Sequence, residues 1–251
     1  MALRGGCHAG PVRVVALRRY PVKSMQGEEL DHLDLDDRGV IGDRRWAVLD
    51  PAAGVVLTGR RDPALLMATG RLDGDGRAEV VLPAGRVTRD DGELSAWLGR
   101  PVRLVAAADR RSTYEVPVDP EDDASDVATW QGPLGSFVDS TLTAVSIVAT
   151  GEMGSWDVRR FRPNVVIEAD DLDHLLGATV RIGAATLTIA KPIDRCVIVA
   201  RPQPGGIDRD LDVLRTINRE RGTVLGIGAL VAAPGRVAIG DELVLSASTR
   251  P

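Results

Sequence analysis

At 251 residues the chain is long enough to bury a core without metal or disulfide staples, as one large domain or two small ones. Its 44% apolar and 27% charged residues are ordinary for a soluble globular protein. A net charge of −5 argues against a nucleic-acid face, which needs a basic excess, and 3% aromatics argue against base-stacking platforms. No apolar run approaches the roughly 20 residues of a membrane span. The start of the chain has no apolar signal segment, so the expectation is a cytoplasmic protein that contacts neither nucleic acid nor membrane. Of the two cysteines, Cys7 lies in a Gly-rich start and Cys196 far from it, and no bridge between them is expected.

In chain order, Val12 to Leu17 alternates and is β-branched, a strand by pattern. Arg18 to Ser24 contains Pro21 and reads as a loop or edge. Leu30, Leu33 and Leu35 suit a second strand, and Val40 to Asp43 turns into a third, Arg44 to Leu49. Asp50 to Gly54 is a turn before Val55 to Thr58. Ala64 to Gly70 suits strand or short helix, and Asp73-Gly74-Asp75-Gly76 is a hairpin turn leading to Glu79 to Leu82. Asp91 to Gly99 is a short helix with an N-cap Asp and a closing Gly, followed by a strand from Pro101 to Ala106.

The acidic run from Asp109 to Ser125 has low hydrophobicity and reads as a linker or flap. It divides the chain into an N-terminal unit, residues 8–108, and a second unit, residues 126–251. In the second unit, Leu142 to Ala149 and Val165 to Ile167 are apolar runs, and Leu172 to Leu176 is a helical turn. Val180 to Gly183 and Ala185 to Ala190 form a hairpin, and Cys196 opens the next strand. Asp212 to Arg221 reads as a helix with Leu214 and Ile217 on one face. Val224 to Ala232 and Val237 to Leu245 read as strands joined at Pro234-Gly235. Many short strands, Gly/Pro turns and few helices predict a mostly β, barrel-type fold.

Chemistry concentrates in a few stretches. Cys196 follows Arg195, and an adjacent cation favours the thiolate, a soft ligand and strong nucleophile. The only two lysines, Lys23 and Lys191, fall in the stretches singled out here. Singly, each residue has a plainer reading: Cys196 as a buried structural thiol, Lys23 and Arg44 as exposed strand residues, and the arginines around Phe161 as partners of acidic neighbours. Asp139, Ser140 and Thr141 likewise suit a turn or a cap.

Four stretches taken together change that balance. Tyr20-Pro21-Val22-Lys23-Ser24, Gly42-Asp43-Arg44-Arg45-Trp46, Arg160-Phe161-Arg162-Pro163-Asn164 and Arg195-Cys196 occur in the order found in MOSC-domain proteins, which the chain resembles over nearly its whole length. Pro234 to Asp241 is similar to the closing hairpin of that family, which includes the mitochondrial amidoxime-reducing component and bacterial hydroxylaminopurine reductases. The resemblance implies an N-terminal β-barrel unit followed by a MOSC β-barrel, and a molybdenum cofactor (molybdenum–molybdopterin).

By the same resemblance, Cys196 is the thiolate on the metal, and Lys23, Ser24, Arg44, Arg160, Arg162, Asn164 and Arg195 bind the pterin or its phosphate. Asp139, Ser140 and Thr141 fall in the polar stretch near the metal, Asp139 as candidate acid, and Arg60 matches a basic position. The implied activity is reduction of N-hydroxylated or related N–O or S–O small molecules by oxygen-atom transfer. A four-cysteine two-iron two-sulfur cluster cannot be built from two cysteines, so electrons are expected from a separate ferredoxin- or flavoprotein-type donor. Two alternatives stay open: a carrier or insertion protein for cofactor or sulfur using Cys196, and a MOSC relic without cofactor. The sequence departs from the family pattern at Met25 and in the loop Val199 to Gly206, which is expected to border the metal's open face.

Overall fold

The structure is a computed structural model and describes residues 12–107, 111–117 and 126–246. Cys7, and within the expected linker residues 109, 110 and 118–125, lie outside the described residues. The N-terminal region contains β1 (Arg13–Arg19), β2 (Glu28–Leu30), β3 (His32–Asp36), β4 (Gly39–Val40), β5 (Trp46–Asp50) and β6 (Val55–Val56). A 3-10 turn (Pro63–Met67) leads to β7 (Thr69–Leu72), β8 (Ala78–Val81) and β9 (Val87–Thr88), then helix α1 (Asp91–Leu98) and β10 (Arg103–Ala106). After β11 (Thr113–Pro117) and β12 (Val127–Gln131) come β13 (Val145–Ala149), α2 (Thr150–Met153), β14 (Val165–Glu168), β15 (Thr179–Ile182) and β16 (Ala185–Asp194). The described chain closes with α3 (Leu211–Arg221), β17 (Val224–Ala233), β18 (Gly235–Ala238) and β19 (Leu243–Leu245). The fold is mostly β with three short helices among the described residues, and none is long and apolar enough to cross a membrane.

An eight-stranded sheet runs β19-β15-β16-β17-β13-β14-β1-β2, and a five-stranded sheet runs β10-β5-β6-β11-β12. Two three-stranded sheets, β18-β3-β4 and β7-β8-β9, complete the fold. The expected boundary divides the chain but not the sheets. β1 lies against β14 of the second half, and β3 pairs with β18. Val14, Leu17, Leu33 and Leu35 accordingly share one core with Val145, Ile147 and Ile227. A bulge between Val14 and Ala16 shifts the strand period, so Val14 and Leu17 both face that core. β13 is buried along its length because the sheet is covered on both faces: Val145 and Ile147 enter the shared core, while Val148 packs beneath α3 with Leu225 and Ile217.

Several local expectations are corrected. Thr113–Pro117, read as linker, is a strand paired with β12, because Tyr114 buries beside Val56 and Phe137 in spite of the acidic composition around it. Cys196 does not open a strand. β16 keeps pairing with β17 through bulges down to Asp194, and Val197–Ala200 forms a 3-10 turn packed under α3. Packing overrides the strand preference of its β-branched residues. In α3 the residues fully buried are Val213 and Ile217, with Leu214 at the edge. The run from Val237 to Leu245 breaks at Gly240, whose φ of 88° turns the chain from β18 to β19 in a different sheet. The cap of α1 is Asp90, whose carboxylate accepts from the Glu93 amide at 2.9 Å.

Candidate functional site

One cavity of about 350 Å³ lies between the two halves of the chain. It brings together Lys23, Ser24, Arg44, Arg60, Asp139, Ser140, Arg160, Arg162, Asn164, Arg195 and Cys196; Thr141 is exposed outside it. Seven basic side chains line it, Lys191 included, against the three acids Glu115, Asp139 and Asp194. In a chain of net charge −5 such a concentration of cations marks a site for an anion.

The N-terminal wall is a lacing of two loops. The Lys23 amide donates to the Trp46 carbonyl at 2.8 Å, the Arg44 amide to Tyr20 at 2.7 Å, and the Trp46 amide to Pro21 at 3.0 Å. The Tyr20 amide donates to the buried Asp43 carboxylate at 2.7 Å. Among the described residues four non-glycine positions have left-handed backbone, and three line the cavity: Ser24 (φ 65°), Arg44 (φ 48°) and Arg162 (φ 53°). Backbone of this kind costs energy and persists where its surroundings over-determine it, as at binding sites.

Lys23 is 5% exposed. Its ammonium donates to the Phe137 carbonyl at 2.9 Å and to Asp139 Oδ1 at 2.6 Å, and lies 4.5 Å from the Tyr114 ring centre. Burial pulls its pKa below the usual lysine value, with Asp139 opposing and Arg44 and Arg162 assisting. Asp139 is open to the cavity yet ringed by cations. Burial works to raise its carboxyl, but Lys23, Arg44 and Arg60 outweigh that and hold it below the usual carboxylate range.

Arg44 pairs with Asp43 and donates from Nη2 to the Arg162 carbonyl at 3.1 Å. Arg162 donates to the Met25 carbonyl, and burial, then the Arg44 charge, bring its pKa down to about 10. It therefore stays charged at neutral pH.

The opposite wall is held differently. Arg195 Nε donates to Leu225 and Nη1 to Phe161, both at 2.8 Å, while Nη2 is buried with no partner among the described residues. Burial lowers its pKa to about 10, with Cys196 opposing. Cys196 follows as a free, partly buried thiol at the start of the 3-10 turn. Arg160 spends its guanidinium on the carbonyls of Val199 (3.0 Å), Arg201 (3.4 Å) and Asp208 (2.8 Å), so it braces the segment after Cys196. Asn164 accepts from the amide and hydroxyl of Ser146 at 3.1 and 2.9 Å and donates to Arg18 at 3.2 Å, tying β13, β14 and β1 together. The unusual loop after Cys196 reaches across to the N-terminal unit: Gln203 Oε1 accepts from Gln26 at 3.0 Å and Arg201 donates to the Arg60 carbonyl at 3.1 Å.

Sequence reasoning missed Tyr114, Trp130, Thr143 and Ser146 in the lining. Tyr114 and Trp130 stack with ring centres 5.3 Å apart. In a chain with four Trp, two Tyr and two Phe, an aromatic on each strand of one hairpin was the available signal. Among the described residues no three His, Cys, Asp or Glu side chains converge as a metal cage. A metal at Cys196 has to bring most of its ligands with it.

Residues 11–130 match the model of the MOSC N-terminal beta barrel domain, and residues 124–244 match the MOSC domain. No curated protein matches the sequence significantly. Similar solved structures are the YUAD protein of Bacillus subtilis (13% identity, 93% of this chain and 94% of that one, TM-score 0.41) and a hypothetical protein (12%, 94% and 67%, TM-score 0.43). A third is YiiM of Geobacillus stearothermophilus (16% identity, 56% of this chain and 74% of that one, TM-score 0.34). The MOSC domain is associated in general with binding of the molybdenum cofactor. With the two matches in sequence order and covering residues 11–244 between them, the chain belongs to the MOSC family, an N-terminal MOSC β-barrel domain followed by a MOSC domain.

Proposed function

We propose that this protein is a molybdenum-cofactor-binding oxidoreductase that reduces N-hydroxylated or related N–O or S–O small molecules, taking electrons from a separate ferredoxin- or flavoprotein-type donor. The observation that carries the reading is one free thiol and a surplus of buried cations on the walls of a single cavity. A pterin dithiolene with a phosphate tail asks for that combination: one soft protein ligand for a metal already held by sulfur, and fixed positive charge for the phosphate. The orphaned Arg195 Nη2, buried beside Cys196, is a donor left over for such a ligand.

When bound, the cofactor supplies a redox-active metal that exchanges an oxygen atom and two electrons with the substrate. In this reading Cys196 is the metal's protein ligand and not a nucleophile. Lys23, Arg44 and Arg162 hold the phosphate, Lys23 as a point charge and the arginines as forks. Asp139 is ionised at neutral pH and has no proton to give there, so its role is counterion to Lys23 rather than general acid. Arg160 and Asn164 act as framework, fixing the segments that carry Cys196 and Arg162. The alternative, a carrier of cofactor or sulfur, is favoured by one feature: the Cys196 thiol is partly exposed and within reach of a partner.

The test is metal content by elemental analysis of protein from a cofactor-competent host, beside Cys196→Ser, followed by reduction of an amidoxime with an artificial electron donor. Stoichiometric molybdenum, an altered absorption spectrum in the variant and turnover only in the wild type are expected. Metal without turnover supports the carrier. Absence of metal and extractable pterin from both proteins sinks the cofactor reading and leaves a relic.

A further inference from the structure

Tyr20 is 1% exposed, and the guanidiniums of Arg44 and Arg162 both lie over its ring, 5.1 and 4.4 Å from the centre. Two like charges are thus gathered around one buried aromatic ring. Asp43 pairs with Arg44, but among the described residues no carboxylate pairs with Arg162. The ring's negative face adds to the attraction that the Asp43 and Asp139 carboxylates exert on Arg162 from further away.

Tyr20 is itself fixed at several points. Its amide donates to Asp43 at 2.7 Å, and its carbonyl accepts from the Arg44 amide at 2.7 Å. Gly27 lies against the ring edge so closely that a Cβ there would come within 2.6 Å of Cδ1. One residue therefore holds the backbone of Arg44, the carboxylate that pairs with it, and the faces of both guanidiniums. The hydroxyl has no partner among the described residues, and burial keeps it protonated, so the interaction belongs to a neutral ring.

We infer that Tyr20 is the positioning residue of an anion clamp: its ring holds Arg44 and Arg162 together, ready for one doubly charged phosphate-type group, and does so through the π face and not the hydroxyl. The inference rests on the anion-site reading given above. Without the ring, the two charges repel and each side chain reverts to its own rotamers, so the clamp has to be reassembled whenever an anion binds.

Pyrophosphate binding to cofactor-free protein, by isothermal titration calorimetry, tests this apart from turnover. Tyr20→Phe keeps the ring and removes an unsatisfied buried hydroxyl; its affinity should match wild type and its melting temperature should be equal or higher. Tyr20→Leu should bind about tenfold more weakly. Phenylalanine with increasing fluorine at position 20 keeps ring and volume while draining the face of charge, so it reads out even where the leucine variant fails to fold. A stepwise fall in affinity with fluorination is expected. Wild type that binds no pyrophosphate overturns the anion-site reading itself. Wild-type binding that fluorination leaves intact, or that Tyr20→Phe abolishes, overturns the role of the Tyr20 ring alone.

Discussion

Arg160 and Arg162 stand two residues apart, line the same cavity and are 8% and 9% exposed, yet they belong to different parts of the machine. Arg160 faces the segment after Cys196 and satisfies three backbone carbonyls there. Arg162 faces the N-terminal wall, gives one hydrogen bond to Met25, and shares the Tyr20 ring with Arg44. The same side chain at the same depth is framework on one wall and waiting charge on the other. What separates them is where the donors go, since a guanidinium whose N–H groups are spent on carbonyls has little left for a ligand.

Substitution should split the two walls. The largest loss of stability is expected from Arg160→Ala, which removes the donors of three carbonyls, that of Val199 buried, and should cost about 3 kcal/mol in urea unfolding. A cost near zero would move Arg160 to the ligand side of the comparison. Arg162→Met should do the reverse, weakening pyrophosphate binding about 30-fold, the equivalent of about 2 kcal/mol for a charge-assisted contact, without lowering the unfolding midpoint at pH 8.

The pH dependence carries the same distinction. Arg162 has a folded pKa lowered to about 10, below the ordinary arginine value, so between the two the unfolded chain binds more protons. Its burial therefore weighs against the fold below pH 10, and that penalty is relieved as pH rises through the window. Wild type should gain stability relative to Arg162→Met between pH 9 and pH 11 on this account; parallel curves would show that Arg162 is not held as a buried charge.

The smallest effect is expected at the counterion. Asp139→Asn frees the Lys23 ammonium and should tighten pyrophosphate binding a few-fold at neutral pH. The Asp139 carboxyl is held low in the folded state, so its stabilising effect is present above the ordinary carboxylate pKa and fades as pH falls through the folded value. The stability gap between wild type and Asp139→Asn should close in acid, and unequal midpoints there would assign the gap to packing instead.

Much of the cavity was legible because its residues come in short contiguous loops at strand ends, as in Tyr20 to Ser24 and Arg160 to Asn164, where residue types and order survive on the page. The division of labour within those loops was not. Arg160 and Asn164 are expected among the ligand contacts, and nothing in the sequence tells that their side chains also hydrogen-bond the Val199, Arg201, Asp208 and Ser146 groups. Tyr114 is hidden in a stretch dominated by its acidic residues, although it buries and pairs as a strand residue, and Trp130 follows just beyond that stretch. Val197-Ile198-Val199 misled in the opposite sense: its β-branched run implies a strand, but β16 had already ended at Asp194 and the chain turns under α3.

Strand β1 is made early and completed late. Arg13 sits opposite Glu168 and bridges to Glu242, and the Val14 amide donates to the Asp241 carbonyl at 2.9 Å. On the ribosome, at roughly 5–20 residues per second, β1 therefore has only β2 beside it for on the order of ten seconds before β14 emerges, and longer before Asp241 does. Because Tyr20 to Ser24 hang from its end and Arg162 precedes β14, the contacts around Tyr20 need segments from both halves of the chain. The final neighbours of β1 thus come from the far end of the described chain, and an interruption of translation in the second half leaves its β14 side open.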